Sequence, residues 1–211
     1  MADNVPRVFV SYAHESGSHK EQVLALATFL RAAGVDAVLD QWSDDVRRDW
    51  YSWAIHEMTA ADFVLVVASA RYRASGDGAG PVDRNRGVQS EAALLRELVH
   101  ADRATWLPKI LPVLLPGHDV DEIPLFLQPY SASRYPVTSF DTAGAESLLR
   151  TIFRQPGQVP PDVADERPEL PPHPAPPSRP RDHSRVVNQI NGTVTGKVIQ
   201  ADVINGDIHF H

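Results

Sequence analysis

The chain of 211 residues has no cysteine, fewer basic than acidic residues and no long apolar run. Without cysteine there is no disulfide framework, no thiolate nucleophile and no thiolate metal site. With 20 basic against 27 acidic residues, no stretch is basic enough to attract a phosphate backbone. The longest apolar run, residues 63–68, is too short to span a bilayer, and the N-terminus lacks a signal-peptide pattern. We therefore expect a cytoplasmic protein without nucleic-acid or membrane partners.

Sequence motifs of common catalytic classes are also missing. There is no Gly-x-Ser-x-Gly nucleophile elbow and no His-Glu-x-x-His metal motif. The glycine-rich residues 76–80 lack the Gly-Lys-Ser/Thr end of a phosphate-binding loop, so we interpret residues 75–87 as a loop. His209 and His211 would share one face of a strand, but two imidazoles make a weak metal site. We expect no metal and no resident cofactor.

Residues 1–155 alternate strand-like and helix-like segments. Strands are predicted at 7–12, 35–40, 63–68, 109–115 and 130–137, and helices near 23–30, 45–58, 88–99 and 143–153. Residues 63–68 are apolar throughout, as expected for a strand buried on both faces. Pro112 either weakens the prediction of the fourth strand or places that strand at an edge of the sheet. The alternation predicts an α/β fold with a doubly wound parallel sheet, which binds ligands at the carboxyl ends of its strands.

The composition changes after residue 155. Residues 156–184 hold ten of the eighteen prolines, which predicts a linker that is semi-rigid where it adopts polyproline II. Docking of this segment on a polyproline-reading domain is the alternative. Residues 185–211 contain no proline and carry no net charge. The sequence thus predicts a domain at 1–155, a linker at 156–184 and a short β-forming tail at 185–211.

Several phrases of the first region resemble, in order, the SEFIR branch of the Toll/interleukin-receptor (TIR) superfamily. They are RVFVSYAHES, GVDAVLDQW, DWYSWAIHEM, ADFVLVVAS, GVQSEAALLREL and KILPVLLPG. The resemblance covers nearly all of residues 5–155. It implies a flavodoxin-like fold that acts in homotypic signalling assemblies. Some TIR relatives, bacterial ones included, cleave NAD+ when they are clustered, so the resemblance also raises the question of an activity.

Glu91 is the candidate catalytic residue. In the resemblance, the catalytic carboxylate is a glutamate on the helix after the third strand, and Glu91 occupies that position. If Val88, Ala92, Leu95 and Val99 form the buried stripe of this helix, Glu91 lies at the edge of the core, which suits a cleft wall. The alternatives are a first-turn carboxylate that complements the helix dipole and an ordinary solvated acid.

Polar and aromatic residues after the predicted strands are the candidates for substrate contacts. These predicted substrate-binding residues are Ser11, Tyr12, His14, Asp40, Trp42 and Ser69. Polar residues commonly follow strands, so a structural role is the alternative. Trp42, Trp50 or Trp53 would supply a stacking ring, but a role as large apolar anchors of the second strand and helix is favoured for them. Catalytic TIR domains often carry an aromatic residue four positions before the glutamate, and Gly87 at that position counts against catalysis.

The tail contains one short pattern twice: INGTV at 190–194 returns as INGDI at 204–208, and β-branched residues fill eleven of its 27 positions. Each unit predicts a hairpin that turns at Asn-Gly, yet isolated hairpins are marginal in water. Similar halves can instead stack on each other and on copies from other chains. The tail resembles RHIM-like amyloid-signalling motifs. The residues assigned to assembly are Ile190, Asn191, Gly192, Val194, Val198, Ile199, Gln200, Ile204, Asn205, Gly206 and Ile208.

Two functions are consistent with these features. The first is an innate-immunity or cell-death effector, for example in antiphage defence. In that case the tails gather the TIR-like domains at high effective concentration, and a composite cleft around Glu91 hydrolyses NAD+, as substrate rather than cofactor, at the nicotinamide–ribose bond. The second is a non-catalytic SEFIR adaptor. The expected partners are further copies of the chain, in oligomers or filaments, and a protein with a similar amyloid motif.

Overall fold

The computed structural model describes residues 5–43, 45, 47–80, 86–173, 189 and 191–196. The chain divides into two units, residues 1–160 and 161–211. The strands of the first unit are β1 (Arg7–Ser11), β2 (Asp36–Val38), β3 (Phe63–Val67), β4 (Ile110–Leu114) and β5 (Tyr135–Pro136). Its helices are α1 (Gly17–Ala32), α2 (Trp50–Ala60), α3 (Ala70–Gly76), α4 (Arg86–Ala101), α5 (Arg103–Trp106) and α6 (Glu146–Ile152).

The five strands form one parallel sheet in the order β2-β1-β3-β4-β5. The register places Phe9 of β1 opposite Val38 on one side and Val64 on the other. Because consecutive parallel strands need a crossover, the helices cover both faces of the sheet. The predicted doubly wound parallel sheet is therefore confirmed.

The hydrophobic core lies in two layers, one on each face of the sheet. Leu65 and Val67 of β3 pack into the layer beneath α1 and α6, whereas Val64 and Val66 pack into the layer beneath α2, α3 and α4. Every residue of β3 is buried. Full burial of one such side chain stabilises the fold by roughly 1.5–3 kcal/mol. This confirms the prediction that residues 63–68 contain a strand covered on both faces.

Pro112 does not place β4 at the edge of the sheet, and that expectation was wrong. β4 lies between β3 and β5, and Pro112 pairs with Val66. The pairing of β4 with β5 begins only at Val113. At Pro112, β4 therefore pairs with β3 alone. The missing N–H of proline is tolerated because the other side of the strand is unpaired at this residue.

The helix predicted from residue 45 begins at Trp50, five residues later. The carboxylate of Asp49 accepts hydrogen bonds from the backbone N–H groups of Tyr51 and Ser52, at 3.1 and 3.2 Å, and so caps the helix. Asp45 lies in a turn, and residue 46 lies outside the described residues. The cap, rather than the apolar spacing, decides where α2 begins.

Helix α3 was not predicted, because its sequence ARYRASG has no clear apolar period. The hydroxyl of Ser69 accepts a hydrogen bond from the backbone N–H of Tyr72 and caps this helix. Residues 75 and 76, predicted to lie in a loop, belong to its last turn. The helix buries Tyr72 completely against the sheet. The part of the predicted loop at 81–85 lies outside the described residues.

In the second unit, the described residues 161–173, 189 and 191–196 are exposed and belong to no helix or strand. Asn191, Gly192 and Val194 of the predicted assembly motif are among them. The other assembly residues lie outside the described residues: Ile190, Val198, Ile199, Gln200, Ile204, Asn205, Gly206 and Ile208. The linker and assembly roles therefore stay predictions. No helix in the described part of the chain is long and apolar enough to cross a membrane.

Candidate functional site

A cleft of about 730 Å³ opens at the carboxyl edge of the sheet. Its walls come from the segments that follow β1 and β2, from α2 and from the first two turns of α4. The lining residues are Tyr12, His14, Asp40, Trp50, Tyr51, Trp53, Ala54, Arg86, Gly87, Val88, Ser90 and Glu91. This position is where doubly wound sheets bind their ligands. The volume lies within the range of roughly 300–1,000 Å³ that is usual for small-molecule sites.

Glu91 is a half-buried carboxyl in the wall of this cleft. Helix α4 buries Val88, Ala92 and Leu95, so Glu91 lies at the edge of the buried face, as the spacing predicts. The hydroxyl of Ser11 donates a hydrogen bond to Glu91 Oε2 at 2.6 Å. Burial raises the pKa of Glu91 to about 7, against the stabilising hydrogen bond from Ser11. A carboxyl with this pKa is partly ionised at neutral pH.

Ser11 and Tyr72 support Glu91 from beneath. Ser11, at the end of β1, is buried, and its Oγ lies 2.8 Å from the hydroxyl of Tyr72. Tyr72 is fully buried, and that burial strongly raises its pKa, so the phenol stays neutral. Ser11 was predicted to contact substrate, and the structure places it beneath the candidate carboxylate; the substrate contact stays a prediction. Ser11 is not one of the described residues that line the cleft.

His14 and Asp40 form an exposed pair at the rim of the cleft. His14 Nε2 lies 2.9 Å from Asp40 Oδ2. Both residues influence Glu91 through space: the charge of Asp40 raises the pKa of Glu91, and His14 lowers it. These two residues and Tyr12 were predicted from the sequence, and the fold brings all three together with Glu91 although they follow different strands.

An aromatic wall formed by Trp50, Tyr51 and Trp53 faces the cleft from α2. The rings of Trp50 and Trp53 pack edge to face, with their centroids 5.4 Å apart. Trp53 also packs edge to face on Phe9 of the core, with a centroid distance of 5.8 Å. The guanidinium of Arg48 lies 5.3 and 5.4 Å from the two indole centroids. Trp53 thus anchors α2 on one side and lines the cleft on the other, and its role as a stacking ring stays a prediction.

Trp42 and Ser69 are not among the described residues that line the cleft. Trp42 is exposed in a short 3₁₀ turn, and the guanidinium of Arg31 lies 5.6 Å from its ring centroid. Ser69 is fully buried, where it caps α3. Substrate contacts by these two residues stay predictions, and the geometry gives them other roles.

Among the polar and aromatic residues of the site, sequence reasoning missed four: Tyr51, Tyr72, Arg86 and Ser90. Ser90 and Arg86 lie one and five positions before Glu91 on α4, so the helical spacing of three or four residues did not single them out. Tyr51 adjoins tryptophans that were already considered. Tyr72 had no signal in the sequence, because its helix was not predicted and its contact with Ser11 spans 61 positions.

Gly87 lies one helical turn before Glu91 and lines the cleft. A Cβ built on Gly87 would have no described atom within 4 Å, so the position is open. Where some TIR enzymes carry an aromatic residue, this chain therefore has no side chain.

The chemistry available to the cleft is electrostatic and acid–base. Within the described residues, no group of three or more histidine, aspartate or glutamate side chains is placed to hold a metal ion. A partly ionised carboxylate beside an aromatic wall can stabilise a positive charge that develops on a bound substrate. Glu91 is the group placed to do so. Arg86, at the start of α4, adds a positive charge to a cleft that also contains the carboxyl groups of Asp40 and Glu91.

Comparisons with known proteins agree with this architecture. A family model described as "SEFIR domain" matches residues 6–139. The crystal structure of a prokaryotic SEFIR domain is 28% identical, with 75% of this chain and 99% of that chain covered and a TM-score of 0.51. The SEFIR domain of interleukin-17 receptor B is 20% identical, with 70% and 97% covered and a TM-score of 0.46. A comparison with curated proteins finds no match.

Proposed function

The chain belongs to the SEFIR family of signalling domains, and we propose that it is an innate-immunity or cell-death effector that hydrolyses NAD+ at the nicotinamide–ribose bond when copies are clustered. The observation that carries this proposal is Glu91, a half-buried carboxylate with a pKa of about 7 in the wall of an open cleft. Perturbed carboxyls in clefts are candidates for catalysis.

The reaction makes modest demands on the protein. The bond between ribose C1′ and the nicotinamide nitrogen breaks, and nicotinamide leaves as a neutral base with the bonding electrons. Water then adds to C1′ and releases a proton, which gives ADP-ribose. The ribose passes through an oxocarbenium-like state, and an ionised carboxylate beside it lowers the barrier. Glu91 is assigned this role, and Ser11 holds it in place at 2.6 Å.

The aromatic wall supports binding of a planar ring. Trp50 is 40% exposed and Tyr51 57% exposed, so their rings are available for contact with a ligand. Aromatic side chains stack on flat heterocycles and exclude water from the reacting bond. This placement favours a nucleotide over a non-aromatic substrate such as a sugar alone.

Clustering is proposed from the sequence of the tail. Residues 185–211 combine zero net charge, no proline and a repeated Asn-Gly unit, a composition that suits stacking between chains. A tether of 29 residues would hold the gathered domains at high local concentration. Cleavage would then begin when weak contacts between SEFIR domains become occupied. A partner protein with a similar motif would start the assembly.

The test uses the full chain fused to an inducible oligomerisation domain, with NAD+ loss and nicotinamide release as the measurements. Clustered wild type should consume NAD+, and Glu91→Ala should lower the rate by roughly 100-fold or more. Glu97→Ala is the matched control, because Glu97 is an exposed acid of the same helix. A clustered wild type that leaves NAD+ untouched would rule the enzyme out.

Removal of residues 185–211 tests the assembly role separately. The truncated chain should remain folded, because the described sheet and helices end before residue 160. It should fail to assemble, and its NAD+ cleavage should return when an artificial oligomerisation domain replaces the tail. If the truncated chain assembles and signals like the full chain, the tail has another purpose.

A non-catalytic SEFIR adaptor is the second candidate, and Gly87 favours it. The open position one turn before Glu91 lacks the aromatic ring that would help to hold nicotinamide. An adaptor would act through homotypic contacts between SEFIR domains, without chemistry. In that case Glu91→Ala would signal like wild type in cells, and NAD+ levels would be unchanged by clustering.

A further inference from the structure

Three side chains from three elements form a continuous hydrogen-bond chain that ends at the cleft. The hydroxyl of Tyr72, on α3, lies 2.8 Å from Ser11 Oγ at the end of β1. Ser11 Oγ lies 2.6 Å from Glu91 Oε2 on α4. Tyr72 and Ser11 are buried, whereas Glu91 reaches the cleft. These hydrogen bonds thus connect the core layer beneath α2, α3 and α4 to the candidate carboxylate.

The direction of these hydrogen bonds follows from the donors available. An ionised carboxylate only accepts, so the single hydroxyl hydrogen of Ser11 is donated to Glu91. The oxygen of Ser11 must then accept from Tyr72, because its own hydrogen is already used. The phenol keeps its proton over the whole neutral range, since burial strongly raises the pKa of Tyr72. The chain therefore runs from Tyr72 through Ser11 to Glu91.

The reverse direction carries a penalty. If Glu91 were protonated on Oε2 and donated to Ser11, the oxygen of Tyr72 would be the acceptor that the described partners leave for the Ser11 hydrogen, and Ser11 would donate to Tyr72. The phenolic hydrogen would lose its acceptor, because Ser11 is the hydrogen-bond partner that the described residues provide for this hydroxyl. Tyr72 is 0% exposed, so water does not replace the missing acceptor. The buried phenol thereby favours the direction that suits an ionised Glu91.

We propose that Tyr72 is a positioning residue whose hydroxyl fixes the orientation of the Ser11 hydroxyl, so that Ser11 donates to Glu91 and holds its carboxylate at the cleft wall. Tyr72 contacts no substrate and acts through Ser11. Any effect of Tyr72 on catalysis rests on the proposed NAD+ cleavage, whereas the direction of the hydrogen bonds does not. An experiment can therefore contradict one of these claims and leave the other standing.

The experiment follows the titration of Glu91 by NMR in the full chain, labelled at the glutamate side-chain carboxyl carbon and assigned with Glu91→Gln. Ser11→Ala should raise the titration midpoint by about 1 pH unit or more, because the ionised form loses its donor. Tyr72→Phe should raise it by roughly 0.5 pH unit, because the remaining Ser11 hydrogen bond is less polarised and less fixed. Tyr130→Phe, at an exposed tyrosine, is the matched control and should leave the midpoint unchanged.

The double variant Ser11→Ala/Tyr72→Phe decides whether Tyr72 acts through Ser11. Once the Ser11 hydroxyl is gone, loss of the phenol should no longer move the midpoint of Glu91. An equal shift with and without Ser11 would overturn the proposal, and so would an unchanged midpoint in Tyr72→Phe. The remaining titratable or charged groups that line the cleft are kept in all variants: Tyr12, His14, Asp40, Tyr51 and Arg86.

A second measurement needs no change at Tyr72. The ring carbon that bears the Tyr72 hydroxyl is sensitive to the strength of the hydrogen bond that this hydroxyl donates, so its NMR shift should follow the titration of Glu91 in wild type. The response should vanish in Ser11→Ala. A Tyr72 signal that stays constant through the Glu91 titration would overturn the proposal. If both NMR results hold but clustered protein leaves NAD+ intact, the proposed function fails and the positioning role remains.

Discussion

Glu91 and His19 are ionisable side chains near the carboxyl edge of the sheet, and burial shifts their pKa values in opposite directions. The pKa of Glu91 is raised to about 7, and the pKa of His19 is lowered, because burial disfavours the charged form in both cases. Their surroundings differ. Glu91 lines an open cleft, whereas His19 is 3% exposed and contacts only protein. The same physical cause thus gives a candidate reactive group in one place and a structural contact in the other.

His19, His118 and Glu122 form a row of hydrogen-bonded side chains, the His19 relay, near the carboxyl edge of the sheet. His19 Nδ1 lies 3.1 Å from His118 Nε2, and His118 Nδ1 lies 2.6 Å from Glu122 Oε2. The carboxylate of Glu122 accepts from His118, and the ring nitrogens of His19 and His118 share one hydrogen bond. Nε2 of His19 is buried and has no hydrogen-bond partner among the described residues. After burial, the charge of His118 also lowers the pKa of His19, whereas Glu15 and Glu122 raise it. This relay fastens the start of α1 to the segment after β4.

The largest expected effect concerns Glu91 and stability. Its folded pKa lies above the unfolded value of 4.5, so the folded state binds more protons between pH 4.5 and 7 and loses stability as pH rises through that window. Glu91→Gln removes this cost. We expect the variant to be more stable than wild type by up to about 3 kcal/mol at pH 8, but by less than about 1 kcal/mol at pH 5.

Denaturant unfolding at both pH values measures this difference. Glu97→Gln is the control, because Glu97 is exposed on the same helix and should change stability little at either pH. A Glu91→Gln variant that is no more stable than wild type at pH 8 would mean that Glu91 is better solvated than its position implies. The contrast with His19 would then disappear.

The pH dependence of NAD+ cleavage should show the next largest effect. The ionised form of Glu91 is the one that stabilises the developing charge, so the rate of clustered protein should rise about tenfold between pH 6 and pH 8. Ser11→Ala should move this rise to higher pH. The measurement is kcat at saturating NAD+. A rate that is flat across this range would show that ionisation of Glu91 is not required.

His19 should produce the smallest effect, and one of opposite sign. Because its folded pKa lies below the unfolded value of 6.5, the unfolded state binds more protons, and stability is lost as pH falls below 6.5. In the Glu91→Gln background, which removes the opposing slope, stability should fall between pH 6.5 and 5. His19→Gln should flatten this fall, and His56→Gln, at an exposed histidine, should not. An unchanged slope in His19→Gln would contradict the burial argument.

Prediction from sequence succeeded where the evidence was local. The apolar residues 63–68 identified β3, and the helical spacing of Val88, Ala92 and Leu95 placed Glu91 at the edge of the core. Prediction was weaker where a side chain acts on backbone or on a distant partner. The cap at Asp49 moved the start of α2, and the cap at Ser69 formed a helix that apolar spacing did not indicate.

The sequence by itself determined the alternation of strands and helices, the proline-rich segment, the repeated tail and the position of Glu91 on its helix. Periodicity and composition are properties of neighbouring residues, so they can be read without a fold. Only the tertiary structure decided that Tyr72 lies beneath Ser11 and Glu91, and that His19 meets His118 across 99 positions. These contacts depend on strand order and helix packing. The same packing buries Glu91 and His19, which raises the pKa of Glu91 in the cleft and lowers the pKa of His19 in the relay.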